Sequence, residues 1–489
     1  MHNRNGDRSA QRRLLILTTT TGYQTRAFVA AAKQLGLTVA LGSDRCHVLE
    51  DPWQDGALAL HFEDPDASAR QIVEAARANP VHAIVSLGDA PVRTAARACG
   101  VLGLLSHPPE AADICRDKYR SRARLREAGL NVPAFVRFPL TADPTRILNG
   151  EGRKELNTEA QRHREEEREL PENTRAFQTL SDSSPCLCVS ELEPFSPPAR
   201  AFQGVGFPCV LKPTALSGSR GVIRADNQAE FVAAFERIRA LLLSPEVRVM
   251  RDAANHFIQA EAYVEGREVA VEGLVDRGRL QVLAIFDKPD PLEGPFFEET
   301  IYVTPSRLEP DAQNTIIETL REAVRSLGLY HGPLHAELRL NARGAWIMEV
   351  AARSIGGLCS RTLRFESSAL GAGPDRTASL EEVLIRLTLG DDLGEVRREK
   401  AASGVMMIPI PQAGIYEGVQ GTEEALATQG VEDIVITARP TQRLVPLPEG
   451  GSYLGFIFAR GQSPQFVEDA LRRAHAKLRF VIAAALPVV

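Results

Sequence analysis

The chain predicts an α/β protein that opens with a parallel, doubly wound domain and continues through a long antiparallel centre to a small α+β domain. Three observations carry this. Strand and helix patterns alternate over the first hundred residues, at the spacing of βαβ units. After Phe202, apolar strand runs follow one another with few helices between them, as in antiparallel pairing. The 489 residues, at about 150 per domain, make roughly three units.

The elements follow in order. LLILTTTTG is an apolar strand; its core, Leu14–Leu17, is too short for a signal-peptide h-region. Gln24 to Leu35 has helical spacing, TVALGS is a second strand and SARQIVEAARAN a second helix. The strand HAIVSLGD and the helix APVRTAARACG complete the alternation. Ligands bind at the carboxyl ends of such strands, here the loops Thr18–Gly22 and Gly88–Asp89. Ile114 to Ala128 predicts one helix carrying Lys118, with Gly129 at its C-cap, and LNVPAFVRF returns as a strand. Residues 141–200 break the pattern with a charged run and a Pro/Ser-rich run, and predict an exposed, poorly ordered insertion. PCVLKPT then resumes as a strand, followed by the glycine-containing turn LSGSRGV, the strand VIRADN and the helix QAEFVAAFERIRALLL. HFIQAEAYVEG and REVAVEGLVDRGRLQVLAIFDKP are consecutive strands, and Asp311 to Leu327 is a helix. GPLHAELRLNARGAWIMEVAAR is a hairpin turning at Arg343–Gly344. A helix after Leu380 leads into a last α/β segment from about 401.

Composition excludes several classes. Hydrophobic residues at 44% and charged residues at 25% are ordinary for a globular chain and exclude a fibrous or wholly disordered one. The net charge of −6 lacks the basic excess of a nucleic-acid binder. No apolar run reaches the roughly 20 residues that span a bilayer, so neither nucleic acid nor membrane is an expected partner. Seven cysteines, an odd number without a CxxC pair, predict free thiols in a reducing cytoplasm.

Four groups of residues carry possible chemistry. A strand delivers Lys212 to the loop LSGSRGV, where Gly218 and Gly221 let backbone N–H groups approach an anion; a hairpin with a glycine turn is the plain alternative. In EAYVEGREV, Glu261 ends a strand whose backbone can pair with an adenine edge, and Glu268 can reach ribose hydroxyls; exposed acids around a turn are the alternative. Glu337 and Glu349 face each other across the hairpin. Glu349 interrupts an apolar run, where a carboxylate is costly unless paired or bound to a metal, and Mg²⁺ suits two such acids. Arg353 follows beside the turn SIGG and can stabilise a transferring phosphoryl group; a salt bridge to Glu349 is the alternative. His331 and His335 read as structural hydrogen-bonding groups.

Taken in order, these motifs resemble the ATP-grasp superfamily, over nearly the whole chain outside 141–200. The resemblance implies domains at 1–112 (Rossmann-like), 113–266 (small lobe, with the insertion), 267–400 (large lobe with the metal site) and 401–489 (C-terminal). It implies ATP phosphate contacts from Lys118, Lys212, Ser217, Gly218, Ser219 and Gly221. It implies an adenine hinge at Glu261, Tyr263 and Val264, a ribose contact at Glu268, and Mg²⁺, replaceable by Mn²⁺, on Glu337 and Glu349. Arg353 is the implied catalytic residue, contacting the γ-phosphate and acyl phosphate. GPFFEETIYVTPS and SGVMMIPIPQAGIYEGVQG resemble the carboxylate–amine ligases of the L-amino acid ligase type. That subgroup implies substrate contacts from Glu299, Arg353, Gly356 and Gly357, an amide or dipeptide bond made through an acyl phosphate from amino-acid-like carboxylate and amine substrates, and a homodimer. Another ATP-grasp chemistry, a carboxylase or thiol ligase, and a non-catalytic nucleotide-binding protein are the alternatives. One departure stands out: many members read E-x-N-x-R, whereas this chain has Ala351 at the Asn position.

Overall fold

The run Leu14–Leu17 is apolar on both faces of its strand, and it folds accordingly. In a computed structural model, which describes residues 12–19, 22–44, 57–149, 202, 204–367 and 377–484, β1 (Arg13–Thr18) lies inside a parallel sheet with β2 (Thr38–Ser43), β3 (Leu58–Ala59) and β4 (Ala83–Leu87), in the order β3-β2-β1-β4. Leu14 and Ile16 pack towards the centre of the molecule. Leu15 and Leu17 pack under the helices Pro65–Ala78 and Asp89–Leu102. Burial on both faces is what a parallel strand requires.

The helix predicted over 114–128 is two helices, Pro109–Arg116 and Lys118–Glu127. Asp117 divides them: its backbone is extended, and its carboxylate accepts the N–H groups of Tyr119 and Arg120. An aspartate at that position caps a new helix more readily than it continues an old one. This break puts Lys118 at a helix start. Gly129 has φ +76°, as its predicted C-cap role requires.

The small lobe is a four-stranded antiparallel sheet, β5 (Phe135–Pro139), β6 (Cys209–Pro213), β7 (Ile223–Ala225) and β8 (Phe257–Ala262), in the order β5-β8-β6-β7. The helix Gln228–Leu242 covers it with Phe231, Phe235 and Ile238. Its start is a reciprocal cap, Asn227 accepting from the Glu230 N–H and Glu230 accepting from the Asp226 N–H. The start of the predicted insertion is ordered: Pro144–Asn149 is helical and buries Pro144 and Ile147, Ile147 in the small-lobe core, because the apolar spacing of FPLTADPTRIL continues the domain. Residues 150–201 lie outside the described residues.

The large lobe begins with β9 (Arg267–Asp276), β10 (Arg279–Asp287), β11 (Ile301–Thr304), β12 (Gly332–Asn341) and β13 (Gly344–Ala351). The helix Pro310–Leu327 packs on it. Three short strands, β14 (Arg364–Glu366), β15 (Ala378–Ser379) and β16 (Arg397–Arg398), form a small separate sheet. The chain then re-enters the large sheet with β17 (Ala402–Ile408), joined by β19 (Val431–Ile436) and β21 (Gly455–Gly461). The result is one eight-stranded sheet, β13-β12-β9-β10-β11-β17-β21-β19, which joins strands from both sides of residue 400. β18 (Gly414–Gln420), β20 (Arg443–Leu444) and β22 (Arg479–Ala483) make a three-stranded edge. No helix among the described residues is long and apolar enough to cross a membrane.

Candidate active site

The cleft is built on one face of β9 and β12. Alternation turns Leu334, Ala336 and Leu338 of β12 into the core and leaves His335, Glu337 and Arg339 on the other face. Their cross-strand partners on β9 are Glu272, Ala270 and Glu268. Two polar cross-strand pairs result. Arg339 Nε donates to Glu268 at 2.7 Å, and His335 Nδ1 lies 3.2 Å from Glu272. Between them Glu337 faces the small Ala270, which leaves room above it.

Glu349 reaches the same face only through a β-bulge. Ala345 and Ile347 of β13 point into the core, so regular alternation would send Glu349 there too. The register shifts at Glu337/Leu338, pairing Glu337 with Glu349 and Leu338 with Ile347, so Met348 is the extra residue. Val350 takes the next core position and Glu349 turns into the cleft. The Met348 carbonyl accepts from Arg122, a wholly buried guanidinium that holds the bulge from below.

A single cavity of about 490 Å³ is lined by Lys118, Lys212, Ser217, Gly218, Ser219, Glu261, Tyr263, Val264, Glu268, Glu299, Glu337, Glu349, Arg353, Gly356 and Gly357. Gly221 alone of the expected site residues is not among them. Its N–H donates to the Pro448 carbonyl at 2.7 Å, and a Cβ there would strike Pro213. Gly221, at φ +74°, shapes the loop rather than presenting an amide to a phosphate. Arg220 donates to the Glu449 carbonyl at 2.7 Å, so the C-terminal segment holds the same loop.

The charged groups sort into three clusters. In the first, Glu261 takes Lys212 Nζ at 2.5 Å, Arg122 Nε at 2.8 Å and Gln259 Nε2 at 2.6 Å. Burial would raise this carboxyl, but Arg122 and Lys212 hold it down at about 2. Burial pushes Lys212 down to about 8, with Glu261 offsetting part of the effect. The Glu261 side chain is therefore the counter-ion of Lys212; an adenine-edge contact falls to the backbone around it, beside Val210, Val264 and Met348. In the second, Lys118 Nζ lies 3.1 Å from Glu349 and donates to the Leu216 carbonyl at 2.8 Å.

The third cluster centres on Lys288, a residue outside the motifs legible in the sequence. Its Nζ lies 2.8 Å from Glu268, 2.6 Å from Glu299 and 3.2 Å from Glu337. Against the cost of burial, these acids hold it well above the usual lysine range. Glu299, lowered by Lys288 despite its own burial, also accepts from Tyr302 Oη at 2.7 Å. A lysine directly after the apolar run LAIFD was the available signal. Asp89 stands in one of the two loops expected to face a ligand. It binds Arg353 Nε at 2.6 Å, and Arg353 thereby holds it below the usual carboxylate range despite burial. The ion partner of Arg353 is thus Asp89, not Glu349. Gln24 donates to the Ile355 carbonyl at 2.5 Å, so both expected loops of the N-terminal domain face the cleft. His331 is structural as expected, its Nε2 meeting the Leu387 carbonyl at 2.8 Å.

The donor set fits a hard cation. Glu337 and Glu349 are cross-strand partners, supply only carboxylate oxygens and each already faces an ammonium. Glu268, Glu299 and Glu337 also converge, but Lys288 sits among them, which makes that group the cage of a lysine. Ala351 is buried opposite His335 and offers no side-chain oxygen.

Residues 205–362 match the ATP-grasp domain family, residues 29–104 the ATP-grasp N-terminal domain, and residues 406–483 the L-amino acid ligase C-terminal domain 2. Alanine–anticapsin ligase of Bacillus subtilis is 27% identical over 349 residues, 68% of this chain and 62% of that protein, so the chain spans less than two thirds of that relative's length. Dapdiamide A synthase of Enterobacter agglomerans is 26% identical over 153 residues, 31% of this chain and 34% of that protein. The crystal structure of an L-amino acid ligase from Bacillus licheniformis superposes with a TM-score of 0.70 at 23% identity, over 96% of this chain and 99% of that one. With its N-terminal, central and C-terminal segments each matched to a module of one family, the chain belongs to the ATP-grasp superfamily, on its L-amino acid ligase-like side.

Proposed function

We propose that the protein is an ATP-dependent, ADP-forming carboxylate–amine ligase acting on amino acids. The observation that carries this reading is the convergence of Lys118, Lys212, Glu268, Glu337, Glu349 and Arg353 on one cleft. In the first step a substrate carboxylate oxygen attacks the γ-phosphorus of ATP, and ADP leaves with the electrons of the broken P–O bond. In the second an amine nitrogen attacks the acyl carbon, inorganic phosphate leaves and the nitrogen loses its proton. Lys118 and Lys212 balance phosphate charge, and Glu268 orients the ribose through its own fixed pairing with Arg339. Glu337 and Glu349 would hold Mg²⁺, which when bound supplies charge neutralisation at the phosphates. Arg353, fixed by Asp89, meets the acyl phosphate and the oxyanion that follows. The loop Ser217–Ser219, held by the C-terminal segment, keeps water from the acyl phosphate. The proposal includes Mn²⁺ as a substitute for Mg²⁺, a cytoplasmic location and a homodimer.

Ala351 favours a second reading, a nucleotide-binding protein without catalysis. A phosphate-release screen of amino acids, singly and in pairs, with mass spectrometry of the products, separates the two. Phosphate release dependent on an amino-acid pair, with a mass equal to the pair minus water, is the expected result. Nucleotide binding without any amino-acid-dependent release would leave the second reading standing.

A further inference from the structure

Around Phe456 the side chains lining the cleft change character. Tyr302 of the large lobe, Cys359 and Met407 of the core, Tyr453 of the C-terminal segment and Tyr23 of the N-terminal domain line it. The wall is stiff. Tyr23 and Tyr453 both pack edge-on against the buried Phe456, at ring separations of 5.7 and 5.9 Å, and Cys359 Sγ lies 3.8 Å from Met407 Sδ. Gly357, at φ +59°, packs so close to Phe456 that a Cβ would come within 2.9 Å of its ring. The ionised groups at this end are already matched, Asp89 with Arg353 and Glu299 with Lys288.

Building on the ligase reading, we infer that the amino acid seated with its ammonium towards Glu299 carries a large apolar or aromatic side chain, received by Tyr23, Met407 and Tyr453. An ionised side chain would lose its hydration against aromatic rings and sulfur and meet no unmatched counter-charge on that wall. An apolar one exchanges water for close contact on several sides. The polar end of the same substrate is served separately by Glu299, a carboxylate that can accept more hydrogen bonds than the two it takes from Lys288 and Tyr302.

The test uses the full chain with Mg·ATP. Phosphate release gives kcat/KM for leucine, methionine, phenylalanine, alanine, aspartate and lysine against a fixed partner amino acid. Isothermal titration with Mg·ADP present gives their affinities without chemistry. Leucine, methionine and phenylalanine should exceed aspartate and lysine about ten-fold or more in both measurements. Tyr453→Ser and Met407→Ser should each lower the phenylalanine-to-alanine ratio about ten-fold. The inference is overturned if aspartate or lysine is used as well as leucine, or if both variants keep the wild-type ratio while folded by circular dichroism. Apolar amino acids that bind with this preference but never trigger ATP cleavage would sink the ligase reading and support the pocket. Turnover that is best with a charged amino acid would do the reverse, and absence of amino-acid binding would overturn both.

Discussion

Glu349 shows what one side chain contributes here. It is half of the proposed metal pair, and it faces Lys118 rather than a hydrophobic neighbour. Glu349→Gln removes a charge and an anionic ligand but keeps the shape. Turnover should fall about 10²–10⁴-fold, because metal stabilisation of a transferring phosphoryl group is worth several kcal/mol, while the melting temperature stays within a few degrees. Near-normal Mg²⁺-dependent phosphate release by this variant would remove Glu349 from the catalytic site. Lys212 makes a different prediction. Burial lowers its pKa to about 8, so the free protein carries a charged lysine below that pH and a neutral one above it. ADP phosphates favour the charged form, so binding above pH 8 must draw in a proton, and affinity must fall as pH rises. Titration calorimetry at pH 8.5 in two buffers of different ionisation enthalpy should show roughly three quarters of a proton taken up, and Lys212→Met should abolish the uptake. The sign for stability is opposite: between about 8 and the ordinary lysine value the unfolded chain binds more protons, so this group's contribution to stability rises with pH. A pH-independent ADP affinity from 7 to 9.5 would contradict the proposed phosphate contact.

At the level of the element, the hairpin β12–β13 depends on one extra residue. Alternation alone makes Glu337 a cleft residue, but Glu349 becomes one only because Met348 is bulged and Arg122 binds its carbonyl. Deleting Met348 leaves Glu349 directly after Ile347, so regular alternation keeps Glu349 on the cleft face and Val350 in the core. What is lost is the Met348 carbonyl that the buried Arg122 binds, and a buried donor without its acceptor costs about 1–3 kcal/mol. The urea midpoint of the deletion variant should drop accordingly, whereas Met348→Ala, which keeps the bulge and its carbonyl, should stay near wild type. Equal stability of the deletion variant and wild type would mean that the Arg122 contact does not depend on the bulge. The break at Asp117 acts in the same way, since it starts a helix where Lys118 is needed.

Over the whole molecule, the site is an assembly of parts that each fold for other reasons. The small lobe brings Lys212 and its loop, β9 and β12 bring the acids, and the C-terminal segment holds the loop through Pro448 and Glu449. The N-terminal domain supplies Asp89, which orients Arg353 across the domain boundary. Asp89→Asn keeps a hydrogen-bond acceptor but removes the charge that holds the guanidinium. A misplaced arginine should lower kcat about 10–100-fold, with ADP affinity nearly unchanged because ADP lacks the phosphate that Arg353 meets. Equal losses in kcat and ADP affinity would show a general loosening of the domains rather than a positioning role.

The sequence by itself determined what depends on short range. Apolar periodicity marked three of the four strands described in the N-terminal domain and most strands of the centre. Lys212 beside LSGSRGV and two acids across a predicted hairpin were legible because each rests on a few adjacent residues. The break at Asp117 was readable in principle from the capping preference of aspartate, yet helical spacing on both sides concealed it. Tertiary structure alone decided the pairings between distant segments. Lys288 sits 20 residues from Glu268 and 49 from Glu337 in the chain, and only the β9–β10–β12 arrangement brings all three together. Arg122 reads as one cation in a charged helix until burial against Glu261 and the Met348 carbonyl gives it a partner. Asp89 and Arg353 are 264 residues apart. A side chain's charge state and direction follow from what surrounds it in space, and periodicity along the chain carries no record of that.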